Sequence, residues 1–170
     1  MIDDRAAGSP DADLMRQVRR RWASGVAVVA TRDHKEMIGT TVSAFSVLSL
    51  DPPLVLICLY EEGRIASVVG RTRRFSVSIL DIAQESLADR FAGRGPALDS
   101  HFTGVRLEST REGEPALAGA ICVMDCVVKH IHEGGDHSLI VATAVEVRLM
   151  PDTDDPLLTY EGQYRRLASS

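Results

Sequence analysis

Lysine is almost missing from this chain of 170 residues: Lys35 and Lys129 are the only two, and arginine supplies the other positive charges. Lys and Arg together number 19 against 24 Asp and Glu, a formal net charge of -5. That balance leaves no surplus of cations to neutralise a phosphate backbone, which argues against nucleic acid as a partner. Long apolar runs are also missing. The longest, 54–59, is far short of the roughly 20 residues a spanning helix needs, which argues against a membrane protein. The opening Met1-Ile2-Asp3-Asp4-Arg5 is acidic with no apolar stretch behind it, so no secretory signal is expected and the cytoplasm is the expected location. Cysteine is scarce, with Cys58, Cys122 and Cys126 each inside an apolar run, where a free thiol behaves as a small buried hydrophobe. Three cysteines cannot all pair internally, and zinc wants four ligands in tighter clusters, so no metal is expected. His130 and His132 alternate on one strand face without a carboxylate beside them and read as surface histidines. Neither a Gly-x-Gly-x-x-Gly turn nor a Gly-x-x-x-x-Gly-Lys-Ser/Thr loop occurs, so a dinucleotide fold of the Rossmann kind and a P-loop are unsupported.

What is present is 45% hydrophobic residues, enough for one domain with a real core. Residues 1–12 read as a mobile tail and 13–168 as a single domain. Asp13 is placed to cap a helix running to about residue 23, with Leu14, Val18 and Trp22 on one face. Strand periodicity then takes over at 25–31, with a polar turn at 32–36 and a long extended segment over 37–50. Asp51-Pro52-Pro53 ends the pairing. Residues 54–60 are apolar on both faces, as in a fully covered strand. A short helix at 65–69 precedes a strand at 74–80, where Phe75, Val77 and Ile79 alternate with polar neighbours, and a helix at 84–91. Residues 93–115 read as loop. A long hairpin, 119–132 and 137–149, turns at 133–136, and 157–160 with 163–167 forms a last short pair. The fold class is mainly β (α+β): a small antiparallel barrel of six or seven strands with short peripheral helices, lacking the βαβ alternation of a doubly wound sheet.

Two segments carry candidate chemistry. In Gly39-Thr40-Thr41-Val42-Ser43-Ala44-Phe45-Ser46, small and hydroxylated side chains leave backbone N–H groups accessible to a flat polar ring or a phosphate. The same composition suits an edge strand facing solvent. Gly134-Gly135-Asp136-His137 is a hairpin turn in which glycine supplies positive φ and Asp bonds its own backbone. His137 is either a functional group or an ordinary turn-flanking residue.

Taken in order, GVAVVAT at 25–31, GTTVSAF at 39–45, VLSLDPPLVLIC at 47–58, RFSVSIL at 74–80, ADRF at 88–91, GGDH at 134–137 and PLL at 156–158 with RRL at 165–167 form one ordered set. The chain thereby resembles the short-chain flavin reductases, the reductase partners of two-component flavin-dependent monooxygenases. The resemblance implies a split β-barrel that works as a homodimer, with FMN or FAD at the subunit boundary. It implies that Thr40, Thr41, Val42, Ser43, Ala44 and Phe45 lie along the flavin, with Val47 and Leu48 in the same wall. Glu62, Gly63 and Arg64, and the loop at Arg94 and Gly95, are then near the phosphate and adenine side. His137 takes the catalytic position beside the nicotinamide, which Thr159, Tyr160, Glu161 and Gly162 also contact. The family's phosphate turn is commonly Ser-Arg-Thr, where this chain has Gly63-Arg64-Ile65, and a frequent Tyr-Arg-Gly is here Tyr160-Glu161-Gly162. The implied reaction is hydride transfer from NADH to flavin N5, the reduced flavin passing transiently to a partner monooxygenase. Glu61, Glu62 and Glu161 favour NADH over NADPH by charge. One alternative on the same fold keeps its flavin bound and reduces another substrate; a second, of a different class, is a flavin- or haem-binding split-barrel carrier or sensor without reductase turnover.

Overall fold

The computed structural model describes residues 9–34, 36–95, 97–150 and 155–168. Most of the expected tail, residues 1–8, lies outside them. In chain order the elements are α1 (Ala12–Arg20), β1 (Ser24–Gly25), β2 (Ala27–Asp33), β3 (Glu36–Val42), β4 (Phe45–Ser49), β5 (Leu54–Tyr60), α2 (Arg64–Thr72) and β6 (Arg74–Ile79). They continue with a 3-10 turn (Ile82–Gln84), α3 (Glu85–Phe91), β7 (Leu107–Ser109), β8 (Pro115–Leu117), β9 (Cys122–Gly134), β10 (His137–Leu149), β11 (Leu158–Tyr160) and β12 (Gln163–Arg165).

One antiparallel sheet of seven strands, ordered β3-β2-β6-β9-β10-β5-β4, dominates the molecule. Its two edge strands, β3 and β4, are consecutive in the chain and joined only by Ser43 and Ala44. A sheet whose edges are linked by two residues has to curl until those edges meet, yet no ladder joins β3 to β4 among the described residues. The result is a barrel split along that seam. Its interior is a single apolar cluster to which Val42, Ile57, Phe75, Val77, Cys126 and Ile140 contribute from β3, β5, β6, β9 and β10. A second cluster sits outside β2, where Val26, Val28 and Ala30 meet Leu80, Phe91, Phe102, Leu117 and Leu157. Apolar cover on both faces explains why β2 is buried from Ala27 to Thr31. Burying such a side chain contributes about 1.5–3 kcal/mol.

Several expectations are corrected by tertiary context. Asp11, not Asp13, caps α1, its carboxylate accepting from Leu14 N at 2.7 Å. The helix ends at Arg20, and its apolar face does not pack on this chain: Leu14 is 49%, Val18 55% and Trp22 76% exposed. The segment 37–50 is two strands on opposite edges rather than one, because the chain crosses the seam at Ser43-Ala44. Strand β5 is not covered on both faces: Val55, Ile57 and Leu59 are buried, while Leu54, Leu56 and Cys58 are only half-buried. Ser76 and Ser78 in β6 are fully buried, because the β7–β8 hairpin, most of it in a stretch expected to be loop, packs over them. Their hydroxyls are satisfied by that hairpin's backbone, Ser76 donating to Pro115 O and Ser78 accepting from Leu117 N at 3.0 Å. The hairpin β9–β10 turns at Gly135-Asp136, with Gly134 paired to His137, and Gly135 adopts φ +75°, a conformation that favours glycine. His130 and His132 are exposed on β9. All three cysteines are free, and burial raises each thiol, Cys126 to about 12.

Candidate cofactor-binding cleft

The seam opens into a cleft of about 580 Å³, inside the range typical of small-molecule sites. Thr41, Val42, Ser43, Ala44, Phe45 and Ser46 form one wall, and Leu56 and Cys58 of β5 lie beside them. The wall is held from behind. Ala44 O accepts from Cys58 N at 3.1 Å, and Thr41 Oγ1 donates to Ala88 O of α3 at 2.6 Å. The hydroxyl of Ser43 has no partner among the described residues and is exposed.

The facing rim comes from the two ends of the chain. Arg19 and Arg20 close α1, and Trp22 follows in the turn. Gly162 and Tyr164 come from the β11–β12 hairpin, and Thr159 pairs with Tyr164 across it. These ends are stapled together: Arg20 O accepts from Glu161 N at 2.6 Å, and Arg20 Nη2 donates to Glu161 O at 3.0 Å. The turn runs through positive φ at Glu161 (+54°) and Gly162 (+75°), and a Cβ at Gly162 would come within 3.1 Å of the Arg20 guanidinium. Both demands favour glycine there.

Arg94 enters from the segment after α3. Its backbone N donates to Asp89 O at 2.9 Å, its guanidinium lies 3.4 Å from Asp89 Oδ1, and its Cζ stands 5.8 Å from the centre of the Tyr164 ring. Tyr164 donates its hydroxyl to the same carboxylate at 3.0 Å. Burial, followed by the bond to Asp89, pushes the Tyr164 phenol up to about 12, so it remains a donor at any working pH. Among the described residues no acidic side chain lines the cleft, whereas Arg19, Arg20 and Arg94 do, in a chain of net charge -5. Guanidinium groups, hydroxyls and an apolar floor form a receptor for a flat ring that carries phosphate.

His137 opens β10 opposite Tyr60 of β5, so it shares a sheet face with Leu56 and Cys58. One strand repeat, about 7 Å, separates the Tyr60–His137 pair from Cys58 at the cleft floor. His137 Nδ1 lies 2.7 Å from Asp136 Oδ1, and its ring meets Tyr60 edge-on at 5.8 Å. The bond to His137 holds the Asp136 carboxyl below its ordinary range, and the charge of Arg19 lowers it further. The GGDH turn therefore stands at the margin of the cleft, within the electrostatic reach of α1.

Of the residues expected at the site, Thr41, Val42, Ser43, Ala44, Phe45, Arg94, Thr159 and Gly162 converge on the cleft. Thr40 lies one residue back on β3, opposite Val29, and Gly95 lies one residue past Arg94; neither lines it. Val47 and Leu48 are exposed on β4, and Val47 instead borders a second, apolar cavity. Glu62, Gly63 and Arg64 do not line the cleft. Glu62 accepts from the Tyr60 hydroxyl at 3.0 Å, Gly63 packs against Tyr60 O, and the Arg64 guanidinium is ion-paired to Glu36. Tyr160 and Glu161 belong to the stapled turn but do not line the cleft. Glu61, Glu62 and Glu161 are all absent from the lining, so none of the three acids of the charge argument for NADH lies in the cleft. Arg19, Arg20, Trp22, Leu56, Cys58 and Tyr164 are additions. The signal that points to the first three is Arg19-Arg20-Arg21 directly before the chain's one tryptophan.

A split barrel with a basic, ring-sized cleft at its seam defines a binding protein for phosphate-bearing aromatic cofactors, and comparison with known proteins narrows that class. Residues 19–168 match the family described as "Flavin reductase like domain", and the chain belongs to it. It is 36% identical over 155 residues to the reductase component of 4-hydroxyphenylacetate 3-monooxygenase from Thermus thermophilus, covering 91% of this chain and 96% of that protein. It is 33% identical over 162 residues to the flavin-dependent monooxygenase reductase subunit HsaB of Rhodococcus jostii, with 94% and 80% covered. The solved structure of the NADH:FAD oxidoreductase SgcE6 of Streptomyces globisporus superposes with a TM-score of 0.85 at 31% identity, covering 96% of this chain and 99% of that one.

Proposed function

We propose that the chain is an NADH-dependent flavin reductase that supplies reduced flavin to a partner monooxygenase. The observation that carries the reading is the seam cleft, free of acidic lining among the described residues and edged by Arg19, Arg20 and Arg94, in a member of a flavin reductase family. The NADH:FAD oxidoreductase activity of SgcE6 and the roles of the two monooxygenase reductase components support the donor and the recipient. Bound flavin supplies N5 as the acceptor of a hydride from nicotinamide C4. The chain contributes position. The small residues at 41–45 let a ring lie flat along the wall, and the Ser43 hydroxyl is available to its polar edge. Leu56 and Cys58 keep water from one side, and Arg94, braced by Asp89 and Tyr164, meets phosphate. His137 orients the nicotinamide at the margin so that the reacting atoms approach to roughly 3–3.5 Å. The test is NADH consumption with FMN and with FAD. Oxidation that depends on added flavin is expected, and none at saturating FMN and FAD would overturn the reading.

The working unit proposed is a homodimer of the 13–168 domain. Support comes from the apolar face of α1 left open by Leu14, Val18 and Trp22 and from exposed Val47, Leu50, Val147 and Leu149. The last four rim a second apolar cavity of about 610 Å³. A second copy covering such surface would bury on the order of 2,000 Å². Light scattering should report twice the 18.5 kDa chain mass; a single-chain particle at micromolar concentration would refute it. The cytoplasm is the proposed location, since three free cysteines suit a reducing compartment.

A further inference from the structure

The margin of the cleft carries contacts that the function proposed above leaves unused. Tyr60 ends β5 directly opposite His137, and strand alternation sends Leu59 to the barrel interior and Tyr60 to the outer face. Tyr60 is 50% exposed there and belongs to neither large apolar cluster. Its hydroxyl nevertheless has a partner, donating to Glu62 Oε2 at 3.0 Å. That bond raises the phenol, which stays a donor across the neutral range. The turn returns Glu62 over Tyr60. Gly63 N donates to Tyr60 O at 2.9 Å, and a Cβ at Gly63 would stand 2.8 Å from that same oxygen, so a side chain there would force the turn to shift. Glu61 N donates to Asp136 O at 3.0 Å, which ties this turn to the GGDH turn. Arg64, two residues on, is ion-paired to Glu36, so the Tyr60 hydroxyl is the hydrogen-bond partner of the Glu62 carboxylate among the described residues.

His137 is thereby held from two sides. Asp136 Oδ1 lies 2.7 Å from Nδ1, and the Tyr60 ring meets the imidazole edge-on, with centroids 5.8 Å apart and planes at 67°. Nε2 has no hydrogen-bond partner among the described residues and is the ring nitrogen left open. A single bond to the adjacent residue leaves an imidazole able to pivot; an aromatic edge against it, itself tied at its far end, blocks the pivot. We infer that Tyr60 and Glu62 are positioning residues for the hydride transfer, Glu62 holding the Tyr60 ring and that ring holding His137 in the orientation that receives the nicotinamide. Family resemblance assigns the turn of Glu62 to the phosphate and adenine side; here its carboxylate acts, through Tyr60, on the nicotinamide end. The inference rests on the flavin reductase reading and on His137 beside the nicotinamide, and it adds the two residues behind that histidine.

Steady-state kinetics on the full chain, with NADH varied at saturating FMN, test it. Tyr60→Phe keeps the ring and loses its tether, and should lower kcat/KM for NADH about three- to tenfold, through kcat more than through KM. Glu62→Gln should move the same way but less far, because its amide oxygen still accepts from the phenol through a weaker, uncharged bond. Added to His137→Ala, Tyr60→Phe should bring no further loss, since the histidine through which it acts is gone. The melting midpoint of Tyr60→Phe should stay at the wild-type value, because a half-exposed hydroxyl supports no core, and its FMN affinity should stay within twofold. A wild-type kcat/KM in Tyr60→Phe overturns the inference. So does a loss that multiplies with that of His137→Ala, which would make the tyrosine act on its own, and so does an equal loss of FMN affinity, which would return this turn to the flavin side. Failure of the wild-type chain to oxidise NADH with FMN or FAD overturns the reductase reading itself, and that result is recognised before any variant is made.

Discussion

Phe91→Ala is expected to cost about 3–5 kcal/mol of folding stability, the range for removing a buried phenylalanine. Phe91 ends α3 at 2% exposure, with its ring edge against Phe102 at 4.8 Å and against His101 at 5.8 Å. Beneath it lies the backbone of β3 at Gly39, where a Cβ would stand 2.9 Å from the Phe91 ring. The ring therefore occupies space that a side chain on β3 would need, and Gly39 has no side chain to fill the void left by alanine. For a chain of this size the loss corresponds to a fall of roughly 6–20 °C in Tm. The same substitution should weaken flavin binding. Phe91 fixes α3 against β3, and α3 supplies the Ala88 carbonyl that holds Thr41 and the Asp89 carboxylate that braces Arg94. Urea and thermal melts check the first effect, and a flavin titration at a temperature where the variant is folded checks the second. A loss below about 1 kcal/mol would mean that the second apolar cluster does not depend on this ring.

How much of this was legible in the sequence depends on whether the determinant was local. Turn chemistry is local, and GGDH at 134–137 falls at the tip of the β9–β10 hairpin. Pro52 and Pro53 likewise separate β4 from β5. The break at Ser43-Ala44 is not local. Residues on both sides of it suit a strand, and only the curling of the sheet sends them to opposite edges. An apolar residue in a sequence also does not reveal what covers it. Leu56 and Cys58 look like core but form the floor of the cleft, and Leu14, Val18 and Trp22 form a stripe that this chain leaves open. Ser76 and Ser78 show the converse, polar in sequence yet fully buried because the β7–β8 hairpin satisfies them. The rim of the site is the least local of all. Arg20 and Glu161 are 141 residues apart and meet through reciprocal hydrogen bonds that neither residue's neighbours announce. Ordered motifs located one wall of the cleft; the other wall is a product of how the two chain ends come together.

His137→Ala should lower kcat/KM for NADH by about 5- to 150-fold, equivalent to roughly 1–3 kcal/mol of transition-state stabilisation, while flavin affinity changes less than twofold. The asymmetry follows from position. His137 is absent from the lining of the cleft, so little ground-state contact with flavin is lost with it. It shares a face with Cys58 and lies edge-on to Tyr60, at the margin where a second ring stacked over the first would emerge. Hydride transfer needs no catalytic base, and in the function proposed above the side chain there serves to hold the nicotinamide within reacting distance. The ring is not free to turn, because Asp136 Oδ1 binds Nδ1 at 2.7 Å. A lowered Asp136 pKa keeps that acceptor ionised across the neutral range, since a carboxyl depressed in the folded chain loses its charge only as pH falls through its shifted value. Asp136→Asn should therefore move in the same direction as His137→Ala but less far, because the amide can still accept from Nδ1 with a weaker, uncharged bond. Gly134, Gly135 and the hairpin register do not depend on either side chain, so both variants should keep the wild-type melting midpoint. Steady-state kinetics with NADH varied at saturating FMN separate the possibilities. An unchanged kcat/KM in His137→Ala would reduce this histidine to a residue of the turn, and an equal loss of flavin affinity would place it inside the flavin site rather than at its edge.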